Sequence, residues 1–466
     1  MSEQNTQTTV GHRRVLAFET AGTWIPEILR EEVELFAAMP PAENEFTPNI
    51  VVTVNAYAGT LQDFSRLALA GLESSLSETR IVDVGSWAYR FQNPDAGGNV
   101  PTDALGEPLA SHEGRAIEYT HRAPNGRTVS GVDYLVLLSG WAIQISTTTA
   151  IQTRFIFDGD FERMARSTVA LRAAGPADAA DHVPAPAMHG IDPIATDVLG
   201  EEAEDLSLQL TSGADVGAGN WISGEALARI PELQDAVVGR LGAMTADPVL
   251  DELRGLGLME NGRLGGVGQF MAAALSDASA RLRLTGRFLD HESLFQAFAY
   301  GDQALVIAGP GYGPLILNQA WDSPAQGALK VQILPLSELT SSVSRWAGAG
   351  PAWNLHVAPF MFEQELIEER FGGEAPLPEG AGQVLEQVWN QPWFIWQLEV
   401  EGPRGAVPAC TYVNAGPRGN YRIGTVEEPG SGDVKTAMWA TESALIFRQV
   451  EDALQAAYFG RDARLA

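Results

Sequence analysis

Between Ala174 and Ala218 the chain carries nine acidic residues, no lysine or arginine and no aromatic side chain. The stretch includes ADAADHVPAPAMHG and GEEAEDLSLQLTSGADVGAG. A segment of this composition buries too little apolar surface to offset the entropy of ordering it. It therefore reads as a disordered linker, residues 174–218, which divides the 466 residues into a domain at 1–173 and a domain at 219–466. With 45% apolar residues overall, both parts have material for a core. The alternating Leu206, Leu208 and Leu210 are the exception within the linker, a pattern that could add a short strand to a partner.

Before the linker, periodicity predicts an α+β domain. PNIVVTVNAY, Pro48 to Tyr57, is a β-branched strand. Leu61, Phe64, Ala68, Leu72 and Leu76 recur at helical spacing over Leu61–Ser77. Strands follow at Arg80–Arg90, Gly114–Arg122, Thr128–Leu138 and Trp141–Ala150. Asn125-Gly126 and Ser139-Gly140 supply the tight turns of an antiparallel sheet. A helix at Asp158–Arg172 turns Phe161, Met164, Ala165, Thr168 and Leu171 inward. Two helices on one face of the sheet is the expected arrangement.

After the linker, helices are expected at Pro231–Met244, Asp247–Leu256 and Gly265–Leu275. Strands come next at Ala280–Phe288, Gln303–Ala308 and Gly313–Gln319. Helices at Ser337–Ser344, Glu363–Phe371 and Gln383–Asn390 lead to strands at Trp393–Gly402, Ala406–Ala415, Asn420–Glu427 and Asp433–Trp439. Ser443–Phe459 is the closing helix. The order suggests two related α+β halves with no residue-level repeat.

Composition narrows the function. A formal net charge of −29 disfavours nucleic-acid binding and docking on an anionic membrane. The lone Cys410 rules out an internal disulfide and any multi-cysteine metal site. Arg13 and Arg14 are followed by no apolar run of a secretory signal, and no stretch is long and apolar enough to span a bilayer. A cytoplasmic location is expected.

No catalytic motif stands out. Gly309-Pro310-Gly311-Tyr312-Gly313-Pro314 follows a strand, as a phosphate loop would, but lacks the Gly-Lys-Ser/Thr ending and leads into Leu315-Ile316-Leu317, read as a strand. A hairpin loop is the ordinary reading. The glycines of Gly266–Phe270 follow no strand, against a dinucleotide fold. His112-Glu113 and His291-Glu292 lack a second histidine four residues on, His182 and His189 lie in the linker, and His356 is isolated. Cys410 alternates with apolar neighbours and reads as an inert thiol. No metal, cofactor or catalytic residue is expected. The aromatic WNQPWFIW, Trp389 to Trp396, has large side chains on both strand faces, so two readings stand: core on both sides, or core on one and a partner on the other.

The region from Trp221 to Phe459 resembles the EspG family of actinobacterial type VII (ESX) secretion-associated proteins. LDELRGLGLMENGRL, ARLRLTGRF, DQALVIAGPGYGPLILNQA, LSELTSSV, GNYRIGTVEEP and ATESALIFRQVEDAL carry the resemblance. It implies a quasi-two-fold α/β fold and a cytosolic chaperone that binds PE–PPE pairs and masks their hydrophobic tip, with no catalysis. The region from Val15 to Leu171 resembles the PsbP-like fold of the LpqN/LpqT proteins, through Trp24-Ile25-Pro26, FTPNIVVTVNAY and GRAIEYTHRAPNGRTVSGVDYLVL. LpqN and LpqT are lipoproteins, and this chain shows neither signal nor lipobox.

The expected function is therefore a non-enzymatic adaptor or chaperone for a secreted helical-hairpin substrate of PE/PPE or WXG type, without nucleic acid or membrane insertion. The alternatives are a hydrolase with an unrecognised histidine–carboxylate site and a scaffold of the secretion machinery. In the EspG resemblance the substrate-contacting loop maps to Pro310, Gly311, Tyr312 and Gly313, with Tyr312 offered as an exposed anchor. The competing reading is a solvated turn.

Overall fold

The computed structural model describes residues 6–11, 13–21, 24–27, 33–38, 46–89, 112–175, 178, 190–212, 220–234, 247–321, 323, 327–355, 358–373, 375–427 and 434–459. The chain is mixed α+β and divides into two compact units, one ending at Leu206 and one beginning at Ser207.

The first unit is built on a seven-stranded antiparallel sheet. Its strands run in the order Ile25–Glu27, Val33–Ala38, Asn49–Ala56, Trp141–Ala150, Thr128–Leu138, His112–Arg122, Ser77–Tyr89. Alternation along each strand sorts its side chains between the faces. Ile50, Val52, Val54, Ile143 and Ile145 join Trp24, Phe161, Met164 and Ala165 in one core, under the helix Arg154–Arg166. A small sheet of Thr6–Val10, Leu16–Ala21 and Val169–Ala170 adds Leu16, Phe18 and Ala170 to it. The other helix, Leu61–Ser75, begins at a capping box in which Thr60 and Asp63 satisfy each other's backbone N–H groups.

Two helices on one face was the expectation, and the structure corrects it. Leu61–Ser75 lies over Val51, Asn55, Ala142 and Gln144, which alternate with the core residues and so belong to the opposite face. The interior strand Thr128–Leu138 is buried on both sides over most of its length, and each side needs its own cover. The second helix also ends earlier than its periodicity suggests. Val169–Ala170 leaves it to pair with Leu16 and Ala17, while Phe161, Met164, Ala165 and Thr168 are buried as expected.

The acidic stretch is folded over 190–212, against the reading of a disordered linker at 174–218. Asp192 caps the helix Pro193–Leu199, its carboxylate accepting from the backbone N–H of Ile194 at 2.9 Å and Ala195 at 3.1 Å. Glu201 and Glu204 then meet Arg115, a fully buried guanidinium on the strand His112–Arg122. Arg115 Nη2 lies 3.2 Å from Glu201, Nε lies 3.4 Å from Glu204, and Nη1 donates to Ser86 Oγ at 3.2 Å. Composition weighs apolar burial, and here the ordering force is charge neutralisation by a residue far upstream. Ser207–Ser212 forms a short helix of the second unit, with Leu210 buried and Leu208 exposed. Most of 176–189, with His182 and His189, and all of 213–218 lie outside the described residues.

The second unit is a ten-stranded antiparallel sheet. From one edge to the other its strands are Asn220–Ile222, Leu329–Pro335, Gln303–Ala308, His291–Tyr300, Ala280–Phe288, Phe394–Gly402, Gly405–Asn414, Asn420–Glu427, Val434–Thr441 and Phe360–Phe362. Apart from the short edge strands, the order is mirrored: each half meanders outward from the central pair Ala280–Phe288 and Phe394–Gly402. One face is covered by the helices Leu339–Ala347 and Ser443–Phe459, which share a core with Leu284, Phe394 and Trp396. On the other face, Pro248–Gly255 and Gly266–Asp277 cover Leu305, Ile307 and Val331. Gln364–Phe371 and Gln383–Trp389 separately cover Val413, Tyr421 and Met438.

Trp389, Trp393, Phe394 and Trp396 are all buried as core, while Ile395, on the other face of the strand, is only half-buried. His291–Tyr300 and Leu329–Pro335 are strands the periodicity did not reveal, and the strand expected at Gly313–Gln319 is replaced by the helix Tyr312–Ile316. Residues 235–246 of the helix expected at Pro231–Met244 lie outside the described residues.

Replacing Arg115 by Ala removes the cation facing buried Glu204 and is expected to destabilise the first unit by about 3–5 kcal/mol. Denaturant unfolding of the variant beside the wild type measures the loss.

Candidate functional site

Among the described residues, the middle of the second unit's sheet lacks a helix on one face. Ala280–Phe288 alternates strictly, turning Leu282 and Leu284 into the core and Arg283, Thr285 and Arg287 outward. Phe394–Gly402 does the same, with Ile395 and Gln397 opposite the buried Phe394 and Trp396. The helices on this face cover outer strands of each half, so a groove of about 630 Å³ remains between them. Arg283, Thr285, Arg287, Leu294, Ile395 and Gln397 line it, and Gly309 and Pro310 contribute to its wall. Arg287 Nε donates to the Leu289 carbonyl at 2.9 Å. Within a chain of net charge −29, two outward arginines and the exposed Glu292 stand beside half-buried Leu294 and Ile395, so the groove sets mixed charge over apolar ground.

The GPGYGP segment is only partly at this groove. Pro310 lines it, whereas Gly311, Tyr312 and Gly313 are buried. Tyr312, expected as an exposed apex, is 1% exposed and meets Phe394 edge-on with ring centroids 6.2 Å apart. Burial pushes its phenol up to about 12. The glycines serve close approach and not an open turn. A Cβ on Gly311 would sit 2.4 Å from the Trp346 carbonyl oxygen, and one on Gly348, at φ +67°, 2.2 Å from Tyr312 Cγ. Trp346 Nε1 donates to the Gly309 carbonyl at 2.9 Å and fastens the segment to the end of the Leu339–Ala347 helix.

A second concavity, of about 560 Å³, lies in the first unit between the helix Leu61–Ser75 and the sheet. Phe64, Leu67, Ala68 and Leu72 form its helical wall, and Tyr119, Asp133, Gln144 and Ser146 its polar floor. Asp133 is fully buried. It accepts from Tyr119 Oη at 3.2 Å and from Gln144 Nε2 at 2.6 Å. Burial raises its carboxyl to about 6, against lowering by hydrogen bonds from Ser146, Gln144 and Tyr119. The Tyr119 phenol is raised well above its ordinary value, first by burial and then by the neighbouring Asp133 charge.

Among the described residues, no group of three or more His, Cys, Asp or Glu side chains could hold a metal ion. His291 Nδ1 lies 2.9 Å from Asp290 at an exposed position, and half-buried His121 has its pKa lowered by burial. His356 lies outside the described residues. Cys410 is half-buried on Gly405–Asn414.

Sequence reasoning passed over both concavities. ARLRLTGRF carries the signal for the first, since arginines at every second position mark a wet strand face. An acid inside the apolar run TVSGVDYLVLL marks the second, because a carboxylate is seldom placed mid-strand in a core without a use or a partner.

No family model matches the chain, and no curated protein matches it. Solved structures similar to its N-terminal region include cyanobacterial PsbP (CyanoP) from Synechocystis sp. PCC 6803, at 12% identity and TM-score 0.24 over 36% of this chain and 95% of that one. LpqN of Mycobacterium tuberculosis, involved in cell envelope biogenesis, is 10% identical at TM-score 0.22, over 35% of this chain and 90% of its own. The Ran-binding protein Mog1p of Saccharomyces cerevisiae is 11% identical at TM-score 0.23, over 36% and 97%.

Two outcomes follow from the geometry. Tyr312→Ala empties a core position and is expected to lower stability by about 3–5 kcal/mol in denaturant unfolding, whatever the chain binds. Asp133→Asn keeps the shape and removes the buried charge. Below about pH 4 the carboxyl is neutral whether folded or unfolded; as pH rises through about 6 the folded state takes on the burial cost. The variant is therefore expected to gain on the order of 1–2 kcal/mol over wild type near pH 7.5, and nothing near pH 4, in paired unfolding curves.

Proposed function

We propose that the chain is a cytoplasmic, non-enzymatic adaptor of the EspG kind, and that its second unit holds a helical-hairpin type VII secretion substrate of PE/PPE or WXG type. The observation that carries this reading is the strip at the middle of the ten-stranded sheet that no helix among the described residues covers, flanked on both sides by helices. A hairpin tip seated there would bury its apolar end on Leu294 and Ile395 and place polar groups against Arg283 and Arg287. Arginine over an apolar floor is the composition enriched at protein-binding hot spots. The mirrored halves of the sheet agree with the quasi-two-fold fold that the EspG resemblance implies. The contact set shifts from Tyr312 to the outward side chains of the central strands, because Tyr312 is buried.

The test is calorimetric titration of the full chain with a PE–PPE pair encoded in the same genome. Neutralising the groove arginines with Arg283→Gln and Arg287→Gln is expected to weaken binding at least about tenfold, with folding checked by circular dichroism because each arginine lies opposite a glutamate, Glu399 and Glu292. Unaltered affinity in the folded double variant removes the groove as the site. Failure of every such pair to bind removes the adaptor reading itself.

A further inference from the structure

We propose that the cavity under the Leu61–Ser75 helix is a binding site for a small organic ammonium ion with an aliphatic tail, its charge set against Asp133. Three observations converge on this chemistry. The first is the shape: about 560 Å³ lies between one helix and the sheet, within the size range of small-molecule sites. The second is the lining. Val51, Phe64, Leu67, Ala68, Leu72 and Ala142 make an apolar sleeve suited to an alkyl chain. The third is the charge at its floor. Asp133 is fully buried, and its hydrogen-bond partners Tyr119, Gln144 and Ser146 are all neutral donors.

Among the described residues lining the cavity, Asp133 alone carries charge, and Tyr57 and Tyr119 are the other titratable groups. Arg115 and His121 share the strand face of Tyr119, Arg115 bound to Glu201 and Glu204 and the His121 ring 6.0 Å from the Tyr119 ring, but among the described residues no lysine, arginine or histidine lines the cavity. A buried carboxylate is ordinarily paired with a cation, as Arg115 is paired with carboxylates elsewhere in this unit. Here no cation stands among the described lining residues, and the space for one is present. An ammonium group supplies the charge and the donors, while its tail replaces water along the sleeve. A carboxylate or phosphate ligand would meet repulsion at the same floor. Gly71 keeps part of this volume open: a Cβ built on it meets nothing within 4 Å.

The probes are n-hexylammonium chloride and neutral 1-hexanol, titrated into the full chain by calorimetry near pH 7.5. Wild type is expected to bind the ammonium ion more tightly than the alcohol. Asp133→Asn is expected to weaken the ammonium ion by at least about tenfold while changing the alcohol by less than about twofold. Ammonium affinity in the wild type falls as pH drops below about 6, where the carboxyl takes up a proton, and the Asn variant shows no such fall. Gly71→Leu puts a side chain into the open space with better helix propensity than glycine, so it is expected to fold and to lose both probes. Absence of ammonium binding to the wild type overturns the proposal, as does equal ammonium affinity in wild type and Asp133→Asn. Alcohol and ammonium binding with equal strength overturns the charge assignment and leaves an apolar pocket. None of these outcomes bears on the groove of the second unit.

Discussion

The antiparallel pairing of Ala280–Phe288 with Phe394–Gly402 is the joint on which the second unit depends. Each half contributes one strand, and the register sets Leu284 against Leu398 and Gly286 against Trp396. Gly286 is required there: a Cβ would lie 2.7 Å from both the Trp346 and Phe394 rings. Because the halves meet through hydrogen-bonded backbone, Leu339–Ala347 and Ser443–Phe459 can pool their apolar faces in one core on one side. On the other side each half keeps its own helices over its outer strands, and among the described residues no helix covers the joint itself. The groove is thus a consequence of how two small sheets become one.

Much of this architecture was legible in local pattern. Thr128–Leu138, Trp141–Ala150, Ala280–Phe288, Asn420–Glu427 and Ser443–Phe459 fall where their periodicity puts them. The readings that failed concern partners distant in the chain. Glu204 looked like linker acid because Arg115, 89 residues upstream, is what orders it. GPGYGP looked like an exposed turn because glycine is used both for unusual backbone angles and for close approach, and only Trp346 beside Gly311 tells which. The groove was half legible: alternation says which side of ARLRLTGRF is wet, but not whether a helix will cover it.

Two of the first unit's buried charges, Arg115 and Asp133, stand in contrasting states. Arg115 has two carboxylates and a serine hydroxyl around its guanidinium, so its desolvation is offset within the fold. Asp133 has only neutral hydrogen-bond donors, and burial accordingly raises its pKa. Arg115 ties an acidic tail segment to the sheet; Asp133 lies buried at the floor of a cavity.

Finally, the margins of the ten-stranded sheet are only three residues long, Asn220–Ile222 on one side and Phe360–Phe362 on the other. A long bare margin would invite strand addition, the route by which sheets recruit extended peptides and by which they polymerise. Clipped margins offer an incoming chain little backbone to zip onto. Recognition by this unit then falls to side chains on its broad surface, which favours a prefolded ligand over an extended one and guards an apolar-rich sheet against fibre growth.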